Sequence, residues 1–407
     1  MGGGASTKKK AWDRVFHLTS NVEDDIGEKY VQVFPVWTIA ITRNQRQLAA
    51  ATSDNRINLW CMVTQNLLIP LVGHADTIWK LAYSPDDLLL ASASSDGTVR
   101  LWDVATGMPT MILPRNHANW VVSMAWSPDG SRFATGGSDA RILIWDCGEA
   151  VASQNRVAEL AADAQEAGEY DTYYSELAQE ESVRAEHAKQ PLVFWQAHEK
   201  SINCLDFAPT ESKMLVSVGS EGTLAVWDAD SGVLDARLMG HIGSITCCAV
   251  SPTNEELIAT GGEDHTVRLW DLGDVDPGST AAKTSREKAI GLNLAHFSLK
   301  GHEGGVTAVR FIGDGNLLAS CSKDCDVRIW LPHLQNPTLF AKFGAHEAWV
   351  QDLQWTTDQK MIVTAGSDGM IFVWDVPKKF HLGPLRLEQA LKYPERQDGK
   401  GMNPAEQ

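Results

Sequence analysis

The sequence predicts an all-β protein: a single closed seven-bladed β-propeller with a short helical acidic insertion and flexible termini. Three observations lead there. Six histidines are each followed 28 or 29 residues later by a tryptophan: His74 to Trp102, His117 to Trp145, His198 to Trp227, His241 to Trp270, His302 to Trp330 and His346 to Trp374. A seventh tryptophan, Trp60, ends a first copy that lacks the histidine. Aspartate follows the tryptophan in five copies (Asp103, Asp146, Asp228, Asp271, Asp375), while Cys61 and Leu331 stand there in the others. A period of about 40 to 45 residues ending in Trp-Asp marks a four-stranded propeller blade.

Residues 1–11 read as a leader. Met1-Gly2-Gly3-Gly4-Ala5-Ser6 fits the N-myristoylation pattern at Gly2, and Lys8, Lys9 and Lys10 follow at once. One acyl chain binds a membrane only marginally, and such lysines would add ~1 kcal/mol each near an anionic leaflet. An unlipidated, disordered leader is the alternative. Trp12 to Leu18 (WDRVFHL) alternates as an outer strand does. The propeller is placed at 12–380 and a flexible tail at 381–407.

The second copy shows how a blade is written. Ile78, Leu81 and Tyr83 lie in an apolar strand, and Ser84-Pro85-Asp86-Asp87 turns the chain. Leu89–Ser94 is a second strand, Ser95-Asp96-Gly97 turns again, and Val99–Trp102 is the third. Met108–Leu113 supplies the outer strand. A single blade cannot cover its own faces, so stability has to come from stacking and closure.

The repeated Trp-Asp endings at this spacing resemble the WD-repeat family over roughly residues 12–380. In that family a histidine, a hydroxyl, an acid and the tryptophan form a buried polar network. The matching sets begin with His74, Ser92, Asp96 and Trp102 in copy two and His117, Thr135, Asp139 and Trp145 in copy three. Copy five has His241, Thr260, Asp264 and Trp270; copy six has His302, Ser320, Asp324 and Trp330. Copy seven has His346, Thr364, Asp368 and Trp374. Copy four places Glu221 beside His198, Ser217 and Trp227. Copy one keeps Asp54 and Trp60, with Ala50 at the hydroxyl position. The resemblance also implies that the N-terminal strand completes the last blade, beside Ile371 to Trp374. Substrate receptors of cullin ubiquitin ligases in the family often carry Arg two residues after Trp-Asp. Here those positions are Ala105, Gly148, Asp230, Gly273 and Pro377.

Composition narrows the function classes. The net charge of −17 disfavours a nucleic-acid backbone as partner. No apolar run approaches the ~20 residues needed to span a bilayer. The seven cysteines (Cys61, Cys147, Cys204, Cys247, Cys248, Cys321, Cys325) form no CxxC pair and read as small buried hydrophobes suited to a reducing cytosol. Each Ser-His-Asp coincidence belongs to the repeat, and no phosphate loop, HExxH or nucleophile elbow is present. No catalytic residue, metal or cofactor is expected.

Function should therefore lie in departures from the repeat. The insertion at 149–190 is acidic and alanine-rich, with Tyr170, Tyr173, Tyr174 and Leu177 at helical spacing. It reads as two short helices forming either a docking arm or a flap on the propeller itself. A second insertion, 273–294, reads as flexible. Counted from the histidines, Trp120 and Trp349 fall at plus three and Trp79 at plus five, while Trp37 aligns with Trp79 through its distance from Trp60. All four map to contiguous copies on one face, and tryptophan is favoured at interface hot spots.

The expectation is a non-enzymatic interaction scaffold, cytoplasmic and peripheral on a membrane through Gly2. Its propeller, monomeric within a larger complex, would grip a peptide or loop at a Trp-lined mouth. The alternative is a soluble subunit of a cytoskeletal, ciliary, trafficking or RNA-processing assembly. An enzyme is the distant third reading.

Overall fold

The computed structural model describes residues 14–17, 19–23, 29–64, 66–113, 115–147, 191–210, 213–272, 290–292, 297–313, 315–332, 337–358 and 360–375. The leader, the arm at 149–190 and the tail lie outside them. Gly2, Lys8, Lys9, Lys10, Tyr170, Tyr173, Tyr174 and Leu177 are therefore not placed.

Seven sheets form the blades; six run in sequence order from channel to rim, and in blade seven the outermost strand comes from the N-terminus. Blade one consists of Val36–Ile41, Gln47–Thr52, Arg56–Cys61 and Leu67–Val72. The innermost strands of the other six are Ile78–Tyr83, Val121–Trp126, Ile202–Phe207, Ile245–Val250, Val306–Ile312 and Val350–Trp355. Each packs beside the next, and Val350–Trp355 returns to Val36–Ile41, so the ring is closed.

Arg14–His17 pairs antiparallel with Met370–Asp375 in the register Arg14↔Val373 to His17↔Met370. This is the expected closure of blade seven from the N-terminus, and it covers an edge that would otherwise expose its ladder. Two features were not foreseen. Thr19–Glu23 and Lys29–Val33 form a separate hairpin between the closing strand and blade one. Ile290–Leu292, inside the insertion read as flexible, forms a parallel fifth strand on the outer strand Leu234–Met239 of blade four.

The core is distributed among the seams rather than gathered at a centre. Each inter-blade seam holds its own buried cluster; one joins Val36, Ile39 and Trp60 of blade one to Val363, Ala365 and Ile371 of blade seven. Another joins Ile57, Leu59 and Leu71 of blade one to Leu81, Leu90 and Trp102 of blade two. The repeat tryptophans thus reach back onto the preceding blade.

Candidate functional site

Six blades carry the same polar chain. In blade two the Trp102 indole N–H donates to Ser92 Oγ at 2.8 Å, Ser92 Oγ lies 2.7 Å from His74 Nε2, and His74 Nδ1 lies 2.8 Å from Asp96. With a neutral imidazole, only one proton arrangement satisfies all three contacts. The serine hydroxyl, already an acceptor from the indole, donates to Nε2, and the protonated Nδ1 donates to the carboxylate. The acid also accepts the Ala75 backbone N–H at 3.1 Å. Blade seven builds the chain on a threonine: the Trp374 indole donates to Thr364 Oγ1 at 3.0 Å, and Thr364 Oγ1 lies 2.9 Å from His346 Nε2. His346 Nδ1 lies 2.9 Å from Asp368. Blade four repeats the chain with Glu221 joined to His198. Blades three, five and six repeat it with Asp139, Asp264 and Asp324. Gly137, two residues before Asp139, has no room for a side chain, because a Cβ there would collide with both His117 Nδ1 and Asp139 Oδ1.

Burial raises the pKa of these acids, but hydrogen bonds from the histidines, from backbone N–H groups and, in blades two, four and five, from a threonine outweigh it. They hold Asp264 and Glu221 at about 2 and bring Asp96, Asp139, Asp324 and Asp368 below the usual range. Burial pushes the His241 and His302 pKa down despite the neighbouring carboxylates. Histidines held between fixed hydroxyls and acids suit scaffolding. The six hydroxyl residues, Ser92, Thr135, Ser217, Thr260, Ser320 and Thr364, are all fully buried. No one set is therefore differentiated as an exposed nucleophile.

The channel wall follows a rule that the histidine count expresses once the bulges are known. Every innermost strand carries a register shift. In the six blades with a repeat histidine, the residue just after the shift sits six positions beyond that histidine. Around the ring these residues are Thr38, Lys80, Ser123, Cys204, Cys247, Ala308 and Asp352. Two positions further on stand Asp206, Arg310 and Gln354, and alanine in the remaining blades. A bulge re-aims the side chains that follow it. Two cavities, of 340 and 430 Å³, share Lys80, Cys204 and Arg310 in their walls.

Opposite charges balance there. Asp352 lies 3.7 Å from Lys80 and 3.9 Å from Arg310. Burial pushes the Asp206 carboxyl up to about 6, although the Val250 N–H, at 2.9 Å, and Arg310 work against it. Burial also disfavours the Arg310 charge, but Asp352, Cys204 and Asp206 more than restore it.

The four singled-out tryptophans divide into two kinds. Trp37 and Trp79 pack with ring centroids 5.7 Å apart and planes tilted by 51°, they line the smaller cavity, and the Trp79 indole donates to Ser95 Oγ at 2.6 Å. Trp120 and Trp349 are 53% and 50% exposed. Lys323, in the wall of the same cavity, places Nζ 5.2 Å from the Trp349 ring and 2.8 Å from Glu263 Oε1. The plus-three position thus yields exposed rings and the plus-five position yields packed ones.

Sequence reasoning missed two exposed apolar features. Ile242, directly after His241, is 82% exposed. On the rim, Leu67, Leu68, Ile69 and Val72 of blade one and Met108 and Ile112 of blade two are all exposed. The run LLIPLV carries the rim signal, because outer strands elsewhere mix in polar residues. Among the described residues no group of histidines, cysteines and acids could hold a metal, and no helix is long and apolar enough to cross a membrane.

Comparison with known proteins agrees with this geometry. The chain matches the family described as WD domain, G-beta repeat over residues 65–103, 108–146, 189–228, 232–271, 295–330 and 337–375. Similar proteins include the nuclear distribution protein nudF of Aspergillus niger, 25% identical over 45% of this chain and 37% of its own length. Human apoptotic protease-activating factor 1 is 26% identical over 45% of this chain and 13% of its own. Human DDB1- and CUL4-associated factor 10 is 34% identical over 18% of this chain and 13% of its own. The matched regions span well under half of each relative. With six matched repeats and a seventh blade built to the same plan, the chain belongs to the WD-repeat family.

Proposed function

We propose that the protein is a non-enzymatic interaction scaffold whose principal partner surface is the face bearing Trp120 and Trp349. The observation that supports this best is their exposure. Six of the seven repeat tryptophans are buried in the seams and Trp374 is partly buried there, while these two large rings stand half in solvent. Exposed tryptophan beside a channel mouth is the composition of an interface hot spot, where truncation typically costs ≥ ~2 kcal/mol of binding. A peptide or loop laid across the mouth would meet Trp349, Lys323, Glu263 and the Trp37–Trp79 pair.

The test is affinity capture by the full chain from its native cells, compared with Trp120→Ala/Trp349→Ala. The paired variant should keep its thermal melting curve and lose partners at least about tenfold. Full retention of partners would sink the reading.

The leader motif favours a peripheral, lipid-assisted attachment through Gly2 and Lys8–Lys10, with the acidic arm around Tyr170–Leu177 as a second docking element. Mass spectrometry of the native N-terminus and fractionation of Gly2→Ala test the attachment. An unmodified terminus, or identical soluble behaviour of both forms, favours the soluble-subunit reading. DDB1- and CUL4-associated factor 10 raises a ligase-receptor role, but Ala105 and Asp230 stand where arginines would be expected.

A further inference from the structure

Neither the tetrads nor the exposed tryptophans use the two cations in the middle of the channel. Lys80 and Arg310 stand in the walls of both cavities, and their side chains are only 19% and 22% exposed. The Asp352 carboxylate lies 3.7 Å from Lys80 Nζ and 3.9 Å from Arg310 Nη2, beyond hydrogen-bond reach. It accepts instead from Thr38 Oγ1 and from the Ile39 and Leu353 backbone N–H groups. Asp206, in the wall of the larger cavity, likewise accepts the Val250 N–H. Among the described residues Lys80 Nζ therefore makes an ion pair but no hydrogen bond. Arg310 Nη1 donates to the Val309 carbonyl at 2.8 Å, which leaves the outer edge of its fork open.

A third donor is left over in the 340 Å³ cavity, where the buried Trp37 indole N–H has no partner. The Thr246 and Thr307 hydroxyls of the same wall already donate to the Val306 and Val350 carbonyl oxygens. Buried donors without acceptors cost free energy, and charged ones cost more. Lys80, Arg310 and Lys323 face Asp352 and Glu263 in this wall, an excess of one positive charge in a chain of net charge −17. One added negative charge neutralises that excess, and a second would meet Asp352 with Asp206 behind it. The tilted Trp37 and Trp79 rings form the apolar part of the wall. The volume lies in the ~300–1,000 Å³ range of small-ligand sites.

We propose that this cavity binds a small monocarboxylate, its oxygens toward Lys80, Arg310 and the Trp37 N–H and its apolar body against Trp37 and Trp79. The guanidinium fork matches the two oxygens of a carboxylate, and the ammonium adds a point charge. The site does not depend on a peptide partner at Trp120 and Trp349, so either assignment can fail without the other.

The experiment is isothermal titration of the full chain with phenylacetate. Saturable binding is expected, with a dissociation constant of about 1 mM or below. Phenylacetamide, which keeps the shape and lacks the charge, should bind at least about tenfold more weakly. Inorganic phosphate, at a pH where it is a dianion, should also bind more weakly than phenylacetate. Lys80→Met should weaken phenylacetate about tenfold, and so should Trp37→Phe, which keeps an aromatic ring and removes the N–H. The assignment is overturned if phenylacetate does not bind at about 20 mM, or if the amide or phosphate binds as tightly as the acid. It is equally overturned if both folded variants bind phenylacetate as the wild type does. Circular dichroism checks folding, and if Lys80→Met does not fold, Trp37→Phe and the amide comparison still decide the matter.

Discussion

Thr38 and Asp352 lie 314 residues apart and meet across the closure seam, where Thr38 Oγ1 donates to Asp352 Oδ2 at 2.9 Å. The same carboxylate accepts the backbone N–H of Ile39 at 3.3 Å and of Leu353 at 2.9 Å. With Lys80 and Arg310 beside it, one buried acid ties together blades six, seven, one and two.

Thr38→Val should therefore cost ~1 kcal/mol, the net value of one hydrogen bond. Asp352→Ala should cost more, ~2–4 kcal/mol, because it strands several donors and leaves two cations without their counter-charge. Denaturant unfolding of both single variants and the double variant gives the coupling. Strictly additive costs would show that the two residues do not act together.

In a tetrad the hydroxyl is the hinge. Ser92→Ala takes the acceptor from Trp102 and the donor from His74 at once, with an expected cost of ~1–3 kcal/mol. Thr260→Ser, which keeps the hydroxyl between His241 and Trp270, should cost under ~1 kcal/mol. Equal losses in the two variants, compared by urea midpoint, would contradict the hydrogen-bond account.

Acid should destabilise the propeller in two stages. His241 and His302 have folded pKa values below the ordinary 6.5, so the unfolded chain takes up their protons first. Their contribution is present above 6.5 and lost as pH falls through the folded values. Glu221 and Asp264 sit at about 2 in the fold against ordinary values of 4.5 and 3.8. Their contribution is present above those ordinary values and lost as pH drops toward 2. Asp206, raised from 3.8 to about 6, works the other way, since the fold gains stability as pH falls between those values and so offsets part of the histidine loss. The urea midpoint should therefore fall clearly only below 3.8, and a rise there would refute the assignment.

Removing residues 1–18 takes away the partner of Met370–Asp375 and bares a ladder edge. The shortened chain should melt at lower temperature and self-associate, as read by calorimetry and light scattering. An unchanged, monomeric melt would mean that closure by Arg14–His17 is dispensable.

Much of this was legible in the sequence because repetition turns spacing into geometry. The His-to-Trp interval located the tetrads, and the alternation in Trp12–Leu18 located the closing strand. The ring of Lys80, Cys204 and Asp352 obeys the same ruler, yet it escaped notice because only the bulges reveal that plus six faces the channel. The exposed rim at Leu67–Val72 escaped because an apolar strand reads alike whether a neighbour covers it or water does.

The sequence by itself determined the number of blades and the positions of the repeated histidine, hydroxyl, acid and tryptophan, since each follows from the repeat period, and the family resemblance implied their polar networks and the closing strand. Only the tertiary structure decided what no single repeat contains. It packed Trp37 on Trp79 while leaving Trp120 and Trp349 in solvent, and it gathered Thr38, Lys80 and Arg310 from three blades around the Asp352 carboxylate of a fourth. Such contacts arise when a ring closes and brings distant residues to a shared axis, where the repeat ruler gives position but not neighbours.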